Sequence, residues 1–184
     1  KRYNDAIDLF QKKIQIEPEN WGAHLNLGYA YLAQKAYPRA IESLRKVVQY
    51  KPDHVQAYYL LGACYAESKS GDQARSAFMK VIDLDPKNVD ALKQVGLAYL
   101  LEAQSLQKAD KHKESQRVAG QAAGYVQRAV GQKPGDVQAR VLLAQAYVLS
   151  KQLDKAKDEF RRVLKMDPNN KDAQQGLERL EGGP

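Results

Sequence analysis

Residues 21–54, WGAHLNLGYAYLAQKAYPRAIESLRKVVQYKPDH, and residues 55–88, VQAYYLLGACYAESKSGDQARSAFMKVIDLDPKN, are two copies of one pattern. Laid over each other they pair Gly28 with Gly62, Tyr31 with Tyr65, Ala40 with Ala74, Leu44 with Phe78 and Pro52 with Pro86. The same order returns as Gly96, Tyr99, Ala122, Val126 and Pro134, and again as Ala144, Tyr147, Ala156, Phe160 and Pro168. Prolines 18, 52, 86, 134 and 168 are separated by 34, 34, 48 and 34 residues, so the third full copy carries 14 extra residues. A fixed period of this length marks a repeat architecture, in which a single unit cannot bury its apolar face alone and neighbours stack to share a core. Apolar residues fall at i, i+4 and i+7 between the prolines, the signature of helices. Each proline closes its unit because its ring and missing N–H cannot continue a helix.

The pattern resembles the tetratricopeptide repeat, a 34-residue helix–turn–helix unit, over nearly the whole chain. The units are 21–54, 55–88, 89–136 with the insertion, and 137–170. Residues 1–20 supply only a second helix, and 171–184 only a first helix that reads as a polar cap. His24, Tyr58, Leu92 and Arg140 stand where the family most often has tryptophan. The resemblance implies an all-α fold, a right-handed α-solenoid of stacked hairpins whose concave face is made of first helices. Gly or Ala at the eighth position and Ala at the twentieth let the two helices of a hairpin approach closely, and the tyrosines and the Leu/Phe/Val row fill the space between.

The 14 extra residues lie within 102–120, which is not rich in Pro or Gly and keeps apolar residues at Ala103, Leu106 and Val118. Fourteen residues is close to four helical turns. The expectation is one hairpin with both helices lengthened by about two turns, turning between Asp110 and Ser115. The chain opens on Lys1 without a secretion pattern and is read as a segment that continues upstream. Leu9, Phe10 and Ile14 of the first helix are expected to lie bare, offering a face for self-association.

Catalytic chemistry finds no constellation. His24, His54 and His112 have no Cys or carboxylate at metal-ligand spacing, so neither metal nor cofactor is expected. His24 sits at a packing position, Cys64 follows Gly62 into the core as an inert thiol, and His112 is placed on the solvated tip. No glycine-rich phosphate loop exists. The expectation is a binding protein rather than an enzyme.

The resemblance implies that ligands are read by positions 2, 5, 6, 9, 12 and 13 of each first helix. Matching residues are Leu25, Asn26, Tyr29 and Leu32 in the first full unit and Gln56, Tyr59, Leu60 and Ala63 in the second. The third supplies Lys93, Gln94, Leu97 and Leu101, and the fourth Val141, Leu142 and Gln145. This largely apolar set with a few amides suits a partner's amphipathic helix or extended peptide. A clamp for acidic chaperone tails, known in part of the family, would leave only Asn26 at a matching position.

At 43% hydrophobic and 28% charged residues the chain has enough apolar material for a core, and no apolar run approaches the length of a bilayer span. The net charge of +7 is spread along the repeats. Its densest cluster, Lys155, Lys157, Arg161, Arg162 and Lys165, alternates with Asp154, Asp158 and Glu159 as on a solvated helix face. Nucleic acid is therefore not expected as a partner, nor is membrane insertion. An assembly module acting through the ends and the convex face is the alternative to a peptide-binding scaffold. Residue usage points by analogy to bacterial relatives, with cytoplasm and envelope both open.

Overall fold

A computed structural model describes residues 2–182, with side chains from residue 4 onward. Ten α-helices and no strand occur among the described residues. They fall into two compact units, one up to Pro86 and one from Lys87.

The first unit holds α1 (Arg2–Ile16), α2 (Trp21–Ala33), α3 (Tyr37–Tyr50), α4 (Val55–Glu67) and α5 (Gly71–Leu84). Each packs on its chain neighbour, as in a solenoid. The second unit holds α6 (Val89–Lys108), α7 (His112–Gln132), α8 (Val137–Leu149), α9 (Leu153–Met166) and α10 (Lys171–Glu181). Here too neighbours pack in sequence, and α8 also touches both α6 and α10, so three first helices lie side by side.

Local chemistry sets each boundary. Two residues after each period-marking proline stands a cap: Asn20, His54, Asn88, Asp136 or Asn170. Each side chain accepts the N–H three residues on, from Ala23, Ala57, Ala91, Ala139 and Ala173, at 2.8–3.2 Å. This satisfies one of the donors a helix start leaves unpaired. For His54 the acceptor is Nδ1, so that nitrogen carries no proton in the capped state.

The turn inside each hairpin is closed differently. Lys35, Lys69, Asp110 and Lys151 have φ of 56–63°, the left-handed region. The next residue's N–H returns to a carbonyl five back: Ala36 to Tyr31, Ser70 to Tyr65, Lys111 to Leu106 and Gln152 to Tyr147, at 2.8–2.9 Å. This is the Schellman geometry, which favours glycine at its left-handed position, yet none of the four is glycine.

Close approach explains the small residues. A Cβ on Gly28 would lie 2.9 Å from Leu44, and one on Gly62 would lie 2.7 Å from the Phe78 ring. Gly96 meets Val126 in the same way. Ala40, Leu44, Ala122, Ala144 and Ala156 are fully buried, and Phe78 and Phe160 nearly so.

The lengthened hairpin is present. Helix α6 has 20 residues against 13 in α2, α4 and α8, and α7 has 21 against 14 in α3, α5 and α9. The insertion thus divides equally, seven residues to each helix. Seven residues are almost two turns, about 10 Å, so both helices keep their buried stripe. The turn itself lies at 109–111 instead of between Asp110 and Ser115; Ser115 is inside α7 and buried. Asp110 supplies the left-handed residue, which pulls the turn toward α6.

At α1 the expected bare set is corrected as well. Leu9 is 65% exposed, but Phe10 and Ile14 are half-buried against the first unit's core, and the second bare residue is Ile16 at 81%.

Candidate partner-binding surface

The first helices α2, α4 and α8, WGAHLNLGYAYLA, VQAYYLLGACYAE and VQARVLLAQAYVL, carry few charges and apolar residues all round. The second helices confine apolar residues to one stripe, as α9 with LDKAKDEFRRVLKM shows. A helix apolar on every side belongs between other elements. Whatever side of it the second helices leave uncovered is a candidate surface.

In the first unit, Tyr29 is 40% exposed on α2 beside exposed Asn26. Leu25 and Leu32 are half-buried against the core. On α4, Gln56 is exposed, Ala63 is half-buried, and Tyr59 sets its ring edge-on to Phe78 at 5.4 Å. Leu60, at 6% exposure, belongs to the core and offers little to a ligand. An exposed aromatic that the sequence reading passed over is Trp21, which carries Lys51 Nζ 4.6 Å above its ring and His54 5.3 Å away.

In the second unit, Leu101 is 56% exposed on α6, with Gln94 and Leu97 half-buried. Lys93 lies near them but is committed elsewhere: its ammonium is 2.9 Å from Asp136 and 3.3 Å from Asp90. Burial works to lower the Lys93 pKa, and the hydrogen bonds and charges of Asp136 and Asp90 outweigh it, holding it above the ordinary lysine value. Asp136 is the mirror case. Burial would raise its pKa, but the Ala139 N–H and Lys93 bring it below the ordinary carboxylate value. Of the α8 residues, Val141 is buried, while Leu142 and Gln145 are half-buried. Asn26, Gln56, Gln94 and Gln145 spend no side-chain hydrogen bond within the described residues.

His24, Arg140 and Cys64 are parts of the framework. His24 is buried and its Nε2–H donates to the Pro18 carbonyl at 2.8 Å. Arg140, four residues past its cap like His24, donates from Nε to the Pro134 carbonyl at 2.7 Å and from Nη1 to Glu159 at 2.6 Å. Polar side chains at the position of the missing tryptophans thus tie the inter-repeat turn to the helix. Burial pushes the Cys64 thiol up to about 11, which keeps it protonated and inert. His112 sits exposed at the hairpin tip, 2.9 Å from Asp110. Among the described residues, no group of His, Cys, Asp or Glu could hold a metal ion, and no helix is long and apolar enough to cross a membrane.

The tetratricopeptide repeat family model matches residues 1–42, 31–96 and 115–180. The chain belongs to the tetratricopeptide repeat family. Among solved tetratricopeptide structures, MamA is 26% identical with a TM-score of 0.74, covering 90% of this chain and 89% of that one. YrrB, a TPR protein with an unusual peptide-binding site, is 23% identical with a TM-score of 0.75, covering 94% and 82%. The first TPR of Spaghetti (RPAP3), bound to an HSP90 peptide, is 22% identical with a TM-score of 0.57, covering 70% and 90%. No curated protein sequence matches this tetratricopeptide chain.

Proposed function

We propose that this protein is a non-enzymatic interaction scaffold, a tetratricopeptide array of units 21–54, 55–88, 89–136 and 137–170 closed by a polar helix. It holds a peptide or amphipathic helix of a partner against the uncovered sides of its first helices. One observation carries the reading: in the first unit Tyr29 stands exposed one turn from exposed Asn26, in the second Leu101 stands exposed two turns from half-buried Gln94 on the same side of α6, and both amides are unspent within the described residues. Apolar anchors with adjacent amides are what a peptide needs, the first for affinity and the second for register. The peptide-bound and peptide-binding relatives support the same class of partner.

The test is a random peptide library displayed on phage and selected on the 184-residue chain. Selected peptides should lose at least tenfold in affinity for the Tyr29→Ala, Tyr59→Ala double variant or for Leu101→Asp, with helical circular dichroism unchanged. Undiminished capture by both variants would end this reading.

Self-association is a second reading, favoured by Leu9 and Ile16 on α1, which are 65% and 81% exposed. Light scattering over a concentration series separates the two, because Leu9→Asp with Ile16→Asp should abolish any growth in mass and leave peptide capture intact.

A further inference from the structure

The second unit contains a pocket of about 280 Å³, one side of which is supplied by the lengthened hairpin. A 13-residue first helix starting at Val89 would end at Leu101; Gln104 lies one turn beyond and forms one wall. The opposite wall is α10, which presents Asp172, Gln175, Gly176, Arg179 and Leu180 on one face at helical spacing. Between them α8 supplies Gln145, Val148 and Leu149, and the Phe160 ring closes the floor. Gly176 permits this arrangement, since a Cβ there would run into that ring.

We infer that this pocket takes one large aliphatic or aromatic side chain of an extended peptide, with an acidic side chain beside it held by Arg179. The inference rests on the scaffold reading above and names the chemistry of one anchor. The pocket falls just below the 300–1,000 Å³ of small-molecule sites, which leaves room for a side chain and little more. Its floor is apolar and its rim is three amides, Gln104, Gln145 and Gln175, suited to a peptide backbone. Charge selects the neighbour. Arg179 has no ion-pair partner among the described residues, and the nearby Glu181 is taken up by Arg161 at 2.6 Å. Asp172 also lines the pocket, but seven residues earlier on α10, about 10 Å away along the helix axis. It therefore repels a carboxylate at its own end and directs the acidic group to Arg179.

The experiment is a methyl NMR titration of the 184-residue chain with capped pentapeptides: acetyl-Gly-Ser-Leu-Glu-Gly-amide, its Leu-Lys counterpart, and its Ser-Glu counterpart. The Leu-Glu peptide should shift the methyls of Val148, Leu149 and Leu180. The Leu-Lys peptide should bind about fivefold more weakly, the scale of a part-exposed ion pair, and the Ser-Glu peptide should leave these methyls unmoved. Arg179→Glu should invert the preference between Leu-Glu and Leu-Lys. Gln175→Phe, which fills the pocket from an exposed position, should silence both. Equal binding of Leu-Glu and Leu-Lys, or no shift at the three pocket residues, overturns the inference. Shifts confined to Leu25 and Leu32 overturn it while leaving the scaffold reading standing, and silence at every methyl counts against both.

Discussion

Ser115 Oγ donates a 2.7 Å hydrogen bond to the carbonyl of Ala103, joining the two added helical segments across their interface. Ala103 lies seven residues after Gly96, and Ser115 seven before Ala122. The extension therefore repeats the close-contact pair of the parent hairpin two turns further out. Ala103, Val118 and Ala119 bury a small core there, flanked by Tyr99, Leu106 and Leu149.

Overpacking this contact should loosen the extension selectively. Ala103→Leu is expected to cost about 1–3 kcal/mol, and Ser115→Ala about 1 kcal/mol. Hydrogen exchange should show lost protection in 100–118 with α2–α4 unchanged. A uniform loss along the chain would contradict an independently packed extension.

The glycine contacts of the first unit, at Gly28 and Gly62, differ in their neighbour. Gly28 faces Cγ and one methyl of the buried Leu44 at 2.9 Å, whereas Gly62 faces the Phe78 ring at 2.7–2.8 Å, itself held edge-on by Tyr59. Gly62→Ala, at the tighter contact, should therefore destabilise by about 1–3 kcal/mol and Gly28→Ala by less, with helix propensity returning roughly 0.5–1 kcal/mol in each. Urea titrations of the two variants compare them directly.

At the hairpin turns, Lys69→Gly should stabilise the first unit by about 0.5–1 kcal/mol. Lys69 has φ 58°, a conformation that costs an ordinary residue roughly 1–2 kcal/mol, partly offset by the greater chain entropy glycine brings to the unfolded state. Lys35→Gly should behave alike, and a fall in the urea midpoint of either variant would count against the left-handed turn.

Acid should weaken the link between α6 and α8. Asp136 has a depressed pKa, so its contribution is full above the ordinary value of 3.8 and disappears as pH falls through the lowered folded value. Lys93, raised above 10.5, contributes fully below that value and loses its part only as pH climbs past it. Asp136→Asn keeps a capping side chain but removes the charge, and should cost about 1–2 kcal/mol between pH 5 and 9. The gap from the parent protein should close below pH 4, as read by urea midpoints across pH.

Much of this architecture was legible in the residues. The 34-residue spacing of prolines and the Gly–Tyr–Ala–Leu/Phe order carry the hairpins, because close helix contact admits only small side chains at the crossing. The turns were not legible: a left-handed position occupied by Lys35, Lys69 or Lys151 has no composition signal, since neighbouring hydrogen bonds impose it. The caps could have been found, as Asn, Asp or His recurs two residues after every period proline and three before an alanine. For the candidate surface, spacing selects a helix side but not its state. Leu60 shares its position with exposed Asn26 and is nevertheless buried, and Val141 is buried where Leu25, Tyr59 and Lys93 are half-buried.

By itself the sequence determined the repeat, its period, the small-residue contacts and the presence of one lengthened unit, since each follows from local periodicity and side-chain size. Only the tertiary structure decided that the turn of the lengthened hairpin falls at 109–111, that Lys93 is spent on Asp136, and that Gln104, Val148 and Arg179 border one pocket. Those relationships join residues from separate helices. Their distances depend on how the helices lean on one another, which no single segment encodes.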